Sequence, residues 1–166
     1  MTNSRILVIG AGLAGSEASW FLASRGVSVV LAEVKTLKLN PAQKNPDFAE
    51  LVCTNSLKSL DPDSAHGLLK TEMRAMGSIV LEVADQTAVP AGDALAVDRA
   101  LFSKAMTDRL RHHPLIKVID VEAADPLEMM RELECSHCII ATGPLTTSPL
   151  ESWMVNNLGA EDIYFY

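Results

Sequence analysis

Ile6-Leu7-Val8-Ile9 is a short apolar run that reads as a strand buried on both faces. Gly10, Gly12 and Gly15 follow it in G-x-G-x-x-G spacing, and a helical pattern begins at once. That order dictates a tight strand-to-helix turn. Gly10 permits the turn, Gly12 lacks the Cβ that would keep a pyrophosphate off the backbone, and Gly15 lets the helix lie close to the strand. The unpaired N–H groups and positive dipole end of the helix then face the phosphates.

The motif alone is a weak signal, because a glycine-rich turn need not bind anything, but its surroundings add to it. A helix is predicted from about Leu13 to Arg25, with Leu13, Ala14, Ala18, Phe21 and Leu22 on one side and Gly26 just past its end. Val27 to Ala32 reads as a second strand. It ends in Glu33, close to the distance of about 20 residues at which an acid meets a ribose hydroxyl. An acid there favours the unphosphorylated ribose of NAD or FAD over the 2′-phosphate of NADP.

Composition sets bounds. The chain has 166 residues, 48% of them apolar, enough for one domain with a core. No apolar run reaches the roughly 18 residues that would span a bilayer. The N-terminus lacks a signal-peptide pattern, and three cysteines suit a reducing compartment, so the cytoplasm is expected. A net charge of −7 argues against a nucleic-acid surface made by the chain as a whole. Lys104, Arg109, Arg111, His112 and His113 cluster in sequence, but a solvated helix face accounts for them, with the two histidines as partners of the helix C-terminus.

Beyond Glu33, residues 34–46 hold two prolines and no lasting period, and read as a surface loop where the adenosine half of a dinucleotide would sit. Asp47 is placed to cap a short helix with Glu50 as its capping-box partner. Cys53 follows. On residue chemistry alone a free cysteine is usually a small buried hydrophobe, and the other reading is a thiol beside the cofactor. Ser64 to Ala84 reads as one long helix on the stripe Leu68, Leu69, Met73, Met76, Val80 and Val83. Residues 87–97 look like two short strand-like pieces around a Pro-Ala-Gly-Asp turn, and Asp98 caps a helix to about Arg111.

Leu115 to Val121 alternates as a strand, and Asp125-Pro126 opens a short helix. Cys135 and Cys138 form a C-x-x-C without the further ligands a zinc site needs. It leads into a strand, where positions i and i+3 face opposite ways, so no chemistry is expected of it, and no metal site is expected in the chain. Ile139 to Thr142 and Gly143 give a second strand-to-glycine transition, which allows close backbone approach to a cofactor. Ser148-Pro149-Leu150-Glu151 reads as a capping box with Pro at N1, Gly159 closes its helix, and Ile163 to Tyr166 looks like the start of a strand.

Six segments together resemble the TrmFO family, the folate- and FAD-dependent tRNA (uracil-5-)-methyltransferases related to the GidA flavoproteins. They are residues 10–17, 47–57 (around Cys53), 67–73, 89–92, 94–99 and 139–145. The likeness covers essentially the whole chain. It implies an α/β fold, a three-layer Rossmann-like FAD-binding half with a parallel sheet, all 166 residues forming the N-terminal part of that domain. It implies FAD held by Gly10, Ala11, Gly12, Leu13, Ala14, Gly15, Glu33, Thr142 and Gly143. It implies 5,10-methylenetetrahydrofolate as carbon donor, NAD(P)H as electron source, and a uridine of the tRNA T-loop as acceptor. It places Cys53 on the family's active-site cysteine.

Two segments depart from the family pattern: Val34-Lys35-Thr36 stands for Met-Arg-Pro, and Asn40-Pro41-Ala42-Gln43 for Thr-Pro-Ala-His. Family members are more than twice as long, so the chain is expected to be an N-terminal piece lacking its C-terminal portion. The alternative is a truncated, non-catalytic paralogue that at most binds nucleotide. A small NAD-dependent dehydrogenase would need a catalytic Tyr, Lys or His at a strand end, and none is evident.

Overall fold

The computed structural model describes residues 5–159. The strand read at Ile163 to Tyr166 lies outside them.

Four strands form a parallel sheet in the order β6-β2-β1-β7: β1 (Arg5–Ile9), β2 (Ser28–Glu33), β6 (Ile116–Asp120) and β7 (Cys135–Ile140). Their apolar runs make this possible. Leu7 and Ile9 point to one face, Val8 to the other, and all three are buried. On one face Val8, Val29 and Leu31 pack with Ala23 of helix α1 (Leu13–Ala23) and Leu110 of α4 (Arg99–Arg111). On the other, Leu7, Ile9, Val30 and Ala32 meet Met129 and Met130 of α5 (Pro126–Glu132) and Leu150 and Trp153 of α6 (Ser148–Leu158). The result is the expected three-layer α/β arrangement.

A second core lies beside it. β3 (Ser56–Ser59), β5 (Ala94–Val97) and β4 (Ala88–Val89) form an antiparallel sheet in that order, with α2 (Ala65–Ala75) and α3 (Ile79–Gln86) alongside. Ile79, Val83, Leu95, Val97, Phe102 and Met106 fill it.

Several local expectations are corrected. The single helix over 64–84 is two helices. Gly77 takes φ +80°, which ends α2, and the Ser78 side chain accepts from Leu81 N to start α3. Leu68, Leu69 and Met76 of the supposed stripe are exposed, whereas Val80 and Val83 are buried. Asp47 caps no helix: residues 47–51 are irregular, and Glu50 pairs with Lys35 instead. The N-cap position of α6 is Thr147, one residue before Ser148, and makes no side-chain cap bond, so Pro149 is the second residue of the helix.

The residues of α1 that meet the sheet are not its large apolar ones. Its buried residues are Gly15, Ser16, Ser19 and Ala23, small enough for a close approach to the sheet. Of the apolar set, Leu13 and Leu22 pack against the two cores, and Ala14, Ala18, Phe21 and the edge of Leu22 line an open groove. In β7, Arg5 pairs with Cys135 but Ile6 pairs with His137, so Ser136 is an extra residue in a bulge. The bulge turns Cys135 and Cys138 towards the same core, not to opposite faces.

Candidate functional site

The site forms where β1, β2 and β7 end together. Gly10 N donates to Ala32 O at 2.8 Å and Ala141 N to Ile9 O at 2.8 Å, so the three strand ends are tied side by side. Each glycine of the turn meets a different constraint. Gly10 has φ +99°, and a Cβ there would lie 2.7 Å from Ala141 O. A Cβ on Gly15 would lie 1.8 Å from Gly10 O, because the first turn of α1 rests on the loop that precedes it. A Cβ on Gly12 would meet nothing within 4 Å. Gly12 is therefore bare towards open space, which leaves room for a ligand to approach the turn.

Glu33 braces this turn. Its Oε2 accepts from Ala11 N at 2.5 Å, and its Oε1 accepts from Val34 N at 2.7 Å and Lys35 N at 3.0 Å. Ala11 O accepts from Ala49 N at 2.8 Å and from Ser16 Oγ at 3.2 Å. The Ala11 peptide is thus pinned on both sides.

A cavity of about 340 Å³ opens over the turn, within the size range of small-molecule sites. The loop after β2 supplies one wall, through Lys38, Leu39, Asn40, Pro41 and Gln43. The opposite wall comes from Thr142, Leu145, Thr146, Thr147 and Ser148, ahead of and into α6. Two helices, α1 and α6, start at this cavity, and neither has a side-chain cap. The N-termini of α2, α3, α4 and α5 are capped by Ser64, Ser78, Asp98 and Asp125. The free N–H groups and the positive dipole ends that face the cavity suit an anionic ligand.

The structure sorts the residues picked from sequence. Gly10, Ala11, Gly12, Glu33 and Thr142 line the cavity. Leu13 packs against the second core, Ala14 lines the separate groove, Gly15 is buried against Gly10, and Gly143 is not part of the cavity lining. Cys53 is exposed rather than buried. It follows Val52, which lines the cavity, and its carbonyl accepts from Arg99 Nη2 at 3.5 Å. Burial pushes the Cys135 and Cys138 thiols up, Cys138 to about 11 with Cys135 adding to the effect.

The basic cluster on α4 is spent on ion pairs: Lys104 with Asp108, Arg109 with Glu82, and Arg111 with Asp120. His112 Nδ1 lies 2.7 Å from Asp108 O at the end of α4, and His113 packs edge-on against Trp20. Sequence reasoning missed Lys35, Glu50 and the Thr146-Thr147-Ser148 run. A polar triplet between a strand-end glycine and a proline-started helix was a usable sign of the last.

Comparison with known proteins bears on this site. The family model described as "Glucose inhibited division protein A" matches residues 5–157. The chain belongs to that GIDA family. Among curated relatives, the protein of Ligilactobacillus salivarius named methylenetetrahydrofolate–tRNA-(uracil-5-)-methyltransferase TrmFO is 48% identical over the whole chain. The equally named protein of Bacillus subtilis is 46% identical, again over the whole chain. The chain spans 36% and 37% of the length of these two relatives. The structure of Aquifex aeolicus GidA superposes with a TM-score of 0.57 at 18% identity, over 73% of this chain and 20% of that one, a likeness of fold. No helix among the described residues is long and apolar enough to cross a membrane.

Proposed function

We propose that this chain is the N-terminal FAD-binding part of a methylenetetrahydrofolate-dependent tRNA (uracil-5-)-methyltransferase. The observation that carries the reading is the cavity at the glycine turn. It has a bare Gly12, two helix N-termini without side-chain caps, and a carboxylate at the end of β2. That set fits a dinucleotide whose diphosphate meets backbone N–H groups and whose ribose meets Glu33. The relatives' name supplies the reaction class.

In this reading the flavin supplies the redox chemistry by which a one-carbon unit passes from 5,10-methylenetetrahydrofolate to uracil, with NAD(P)H as the source of electrons. The chain's own residues bind and orient. Gly12 and the first N–H groups of α1 hold the diphosphate. Glu33, already fixed by three N–H donors, keeps lone pairs for a ribose hydroxyl. Thr142 closes the far side. Cys53 stands exposed where a nucleobase can reach its thiol. In this reading the remaining contacts to a tRNA T-loop uridine come from the portion of such an enzyme that this chain does not span, and the cytoplasm is its compartment.

The test is titration of the purified chain with FAD, NAD and NADP, followed by flavin fluorescence and calorimetry. Saturable FAD binding that is lost in Gly12→Leu, with NADP binding much weaker, is the expected result. Failure of all three nucleotides to bind would overturn it.

A further inference from the structure

We infer that the buried Lys35–Glu50 pair is a clasp that positions one wall of the nucleotide cavity, an inference that rests on the nucleotide reading above. Residues 34–55, between β2 and β3, contain no helix or strand, yet much of the cavity wall is built from them. A long irregular segment holds a wall in place only if something fixes it at its base.

The pair does this. The side chains of Lys35 and Glu50 are 4% and 8% exposed, and Lys35 Nζ lies 2.9 Å from Glu50 Oε2. Lys35 Nζ also donates to Asp47 O at 2.6 Å. Glu50 Oε1 accepts from Lys44 N at 2.9 Å and from Asn45 Nδ2 at 3.4 Å. The clasp therefore draws residue 35 against residues 44–50 and shuts the loop between them, the loop that carries Lys38, Leu39, Asn40, Pro41 and Gln43 into the cavity wall.

The same contacts join the wall to the glycine turn in a closed ring. Ala11 N donates to Glu33, Glu33 accepts from Lys35 N, Lys35 pairs with Glu50, and the neighbouring Ala49 N donates to Ala11 O. Moving any member shifts wall and turn together. Burying two charges costs desolvation that apolar side chains would avoid, so the pair is poorly explained as a source of stability alone. It is well explained as a fixed geometric link. Lys35 stands two residues past the acid of β2, in the segment where this chain departs from the family pattern, and both Lys35 and Glu50 border the cavity whose wall they fix.

The experiment uses the full 166-residue chain and four variants, Lys35→Arg, Lys35→Met, Glu50→Gln and the double variant Lys35→Met/Glu50→Met. Each is checked for folding by thermal melting. FAD and ADP dissociation constants are measured, and trypsin cleavage after Lys38 and Lys44 is timed without ligand. Lys35→Met and Glu50→Gln should weaken both ligands by about tenfold or more and speed cleavage in the loop by a similar factor. Lys35→Arg should restore both to within about threefold. If a single variant fails to fold, the double variant, which leaves no unpaired charge, carries the same expectation. A folded double variant with unchanged cleavage overturns the clasp, and if its ligand binding is nevertheless weaker the pair acts by touching the ligand instead. Unmodified chain that binds neither FAD nor ADP overturns the nucleotide reading instead, and the ligand-free cleavage rates then decide the clasp alone.

Discussion

Gly12 and Gly15 sit three residues apart in one motif, and substitution separates what they do. Gly12 has ordinary φ and ψ of −69° and −170°, with free space where a side chain would go. Gly12→Leu should change stability by no more than about 0.5 kcal/mol in urea unfolding, while blocking the ligand. Gly15→Ala drives a methyl into Gly10 O and should cost about 1–3 kcal/mol or more in the same measurement, whether or not a ligand binds. The cysteines divide as sharply. Cys138, with its thiol pushed up to about 11 by burial, should resist iodoacetamide at pH 8, whereas exposed Cys53 should be alkylated first, as peptide mass spectrometry would show. Because folding favours the neutral Cys138 thiol, its contribution is constant below pH 9 and is lost as pH rises from 9 to about 11. Cys138→Ala should flatten that part of the stability profile.

At the scale of elements, the break between α2 and α3 shows what a periodic pattern cannot report. The apolar stripe over 64–84 continues across Gly77, but α3 needs its own start, and Ser78 provides it. Glu17 of α1 reinforces that start, its Oε2 accepting from Ser78 Oγ at 2.8 Å and from Val80 N at 3.0 Å. Ser78→Ala removes the cap and loosens the Glu17 link. It should cost about 1–2 kcal/mol in urea unfolding, while leaving the cavity contacts of the glycine turn intact. α1 makes a related point. Its interior side is made of Gly15, Ser16, Ser19 and Ala23, because a helix that begins on a strand's own turn has no room for larger residues there. Of its apolar set, Leu13 and Leu22 pack against the two cores while Ala14, Ala18 and Phe21 border a groove, so hydrophobicity alone does not mark the side that meets the sheet.

At the scale of the molecule, that groove is an apolar one between α1, the end of α2 and β7, lined by Phe21, Met73, Met76 and Ile139 among others. Phe21, Met76 and Ile139 are 39%, 56% and 36% exposed. A contiguous apolar surface of this kind binds reporter dyes and promotes association. The isolated chain should enhance anilinonaphthalene sulfonate fluorescence, and Met76→Glu should reduce the enhancement by about half or more without lowering the melting temperature. The cavity, in contrast, is assembled from parts far apart in sequence: the turn at 10–12, the loop at 34–52, and the start of α6 near 147. The parallel sheet brings them to one end, because every strand of it delivers its C-terminal end to the same edge.

The sequence by itself determined the strands of the parallel sheet, the glycine turn, Glu33 at the end of β2, and the helices opened by Asp98 and Asp125. Each is a local consequence of side-chain period, missing Cβ atoms or a capping oxygen, all readable within a few residues. Tertiary structure decided the rest. It split the long helix, set the buried side of α1, turned Cys135 and Cys138 to one core through an extra residue at Ser136, and gave Glu50 to Lys35 rather than to a helix cap. Those outcomes depend on which distant groups arrive next to each other, and side-chain spacing along the chain carries no record of that.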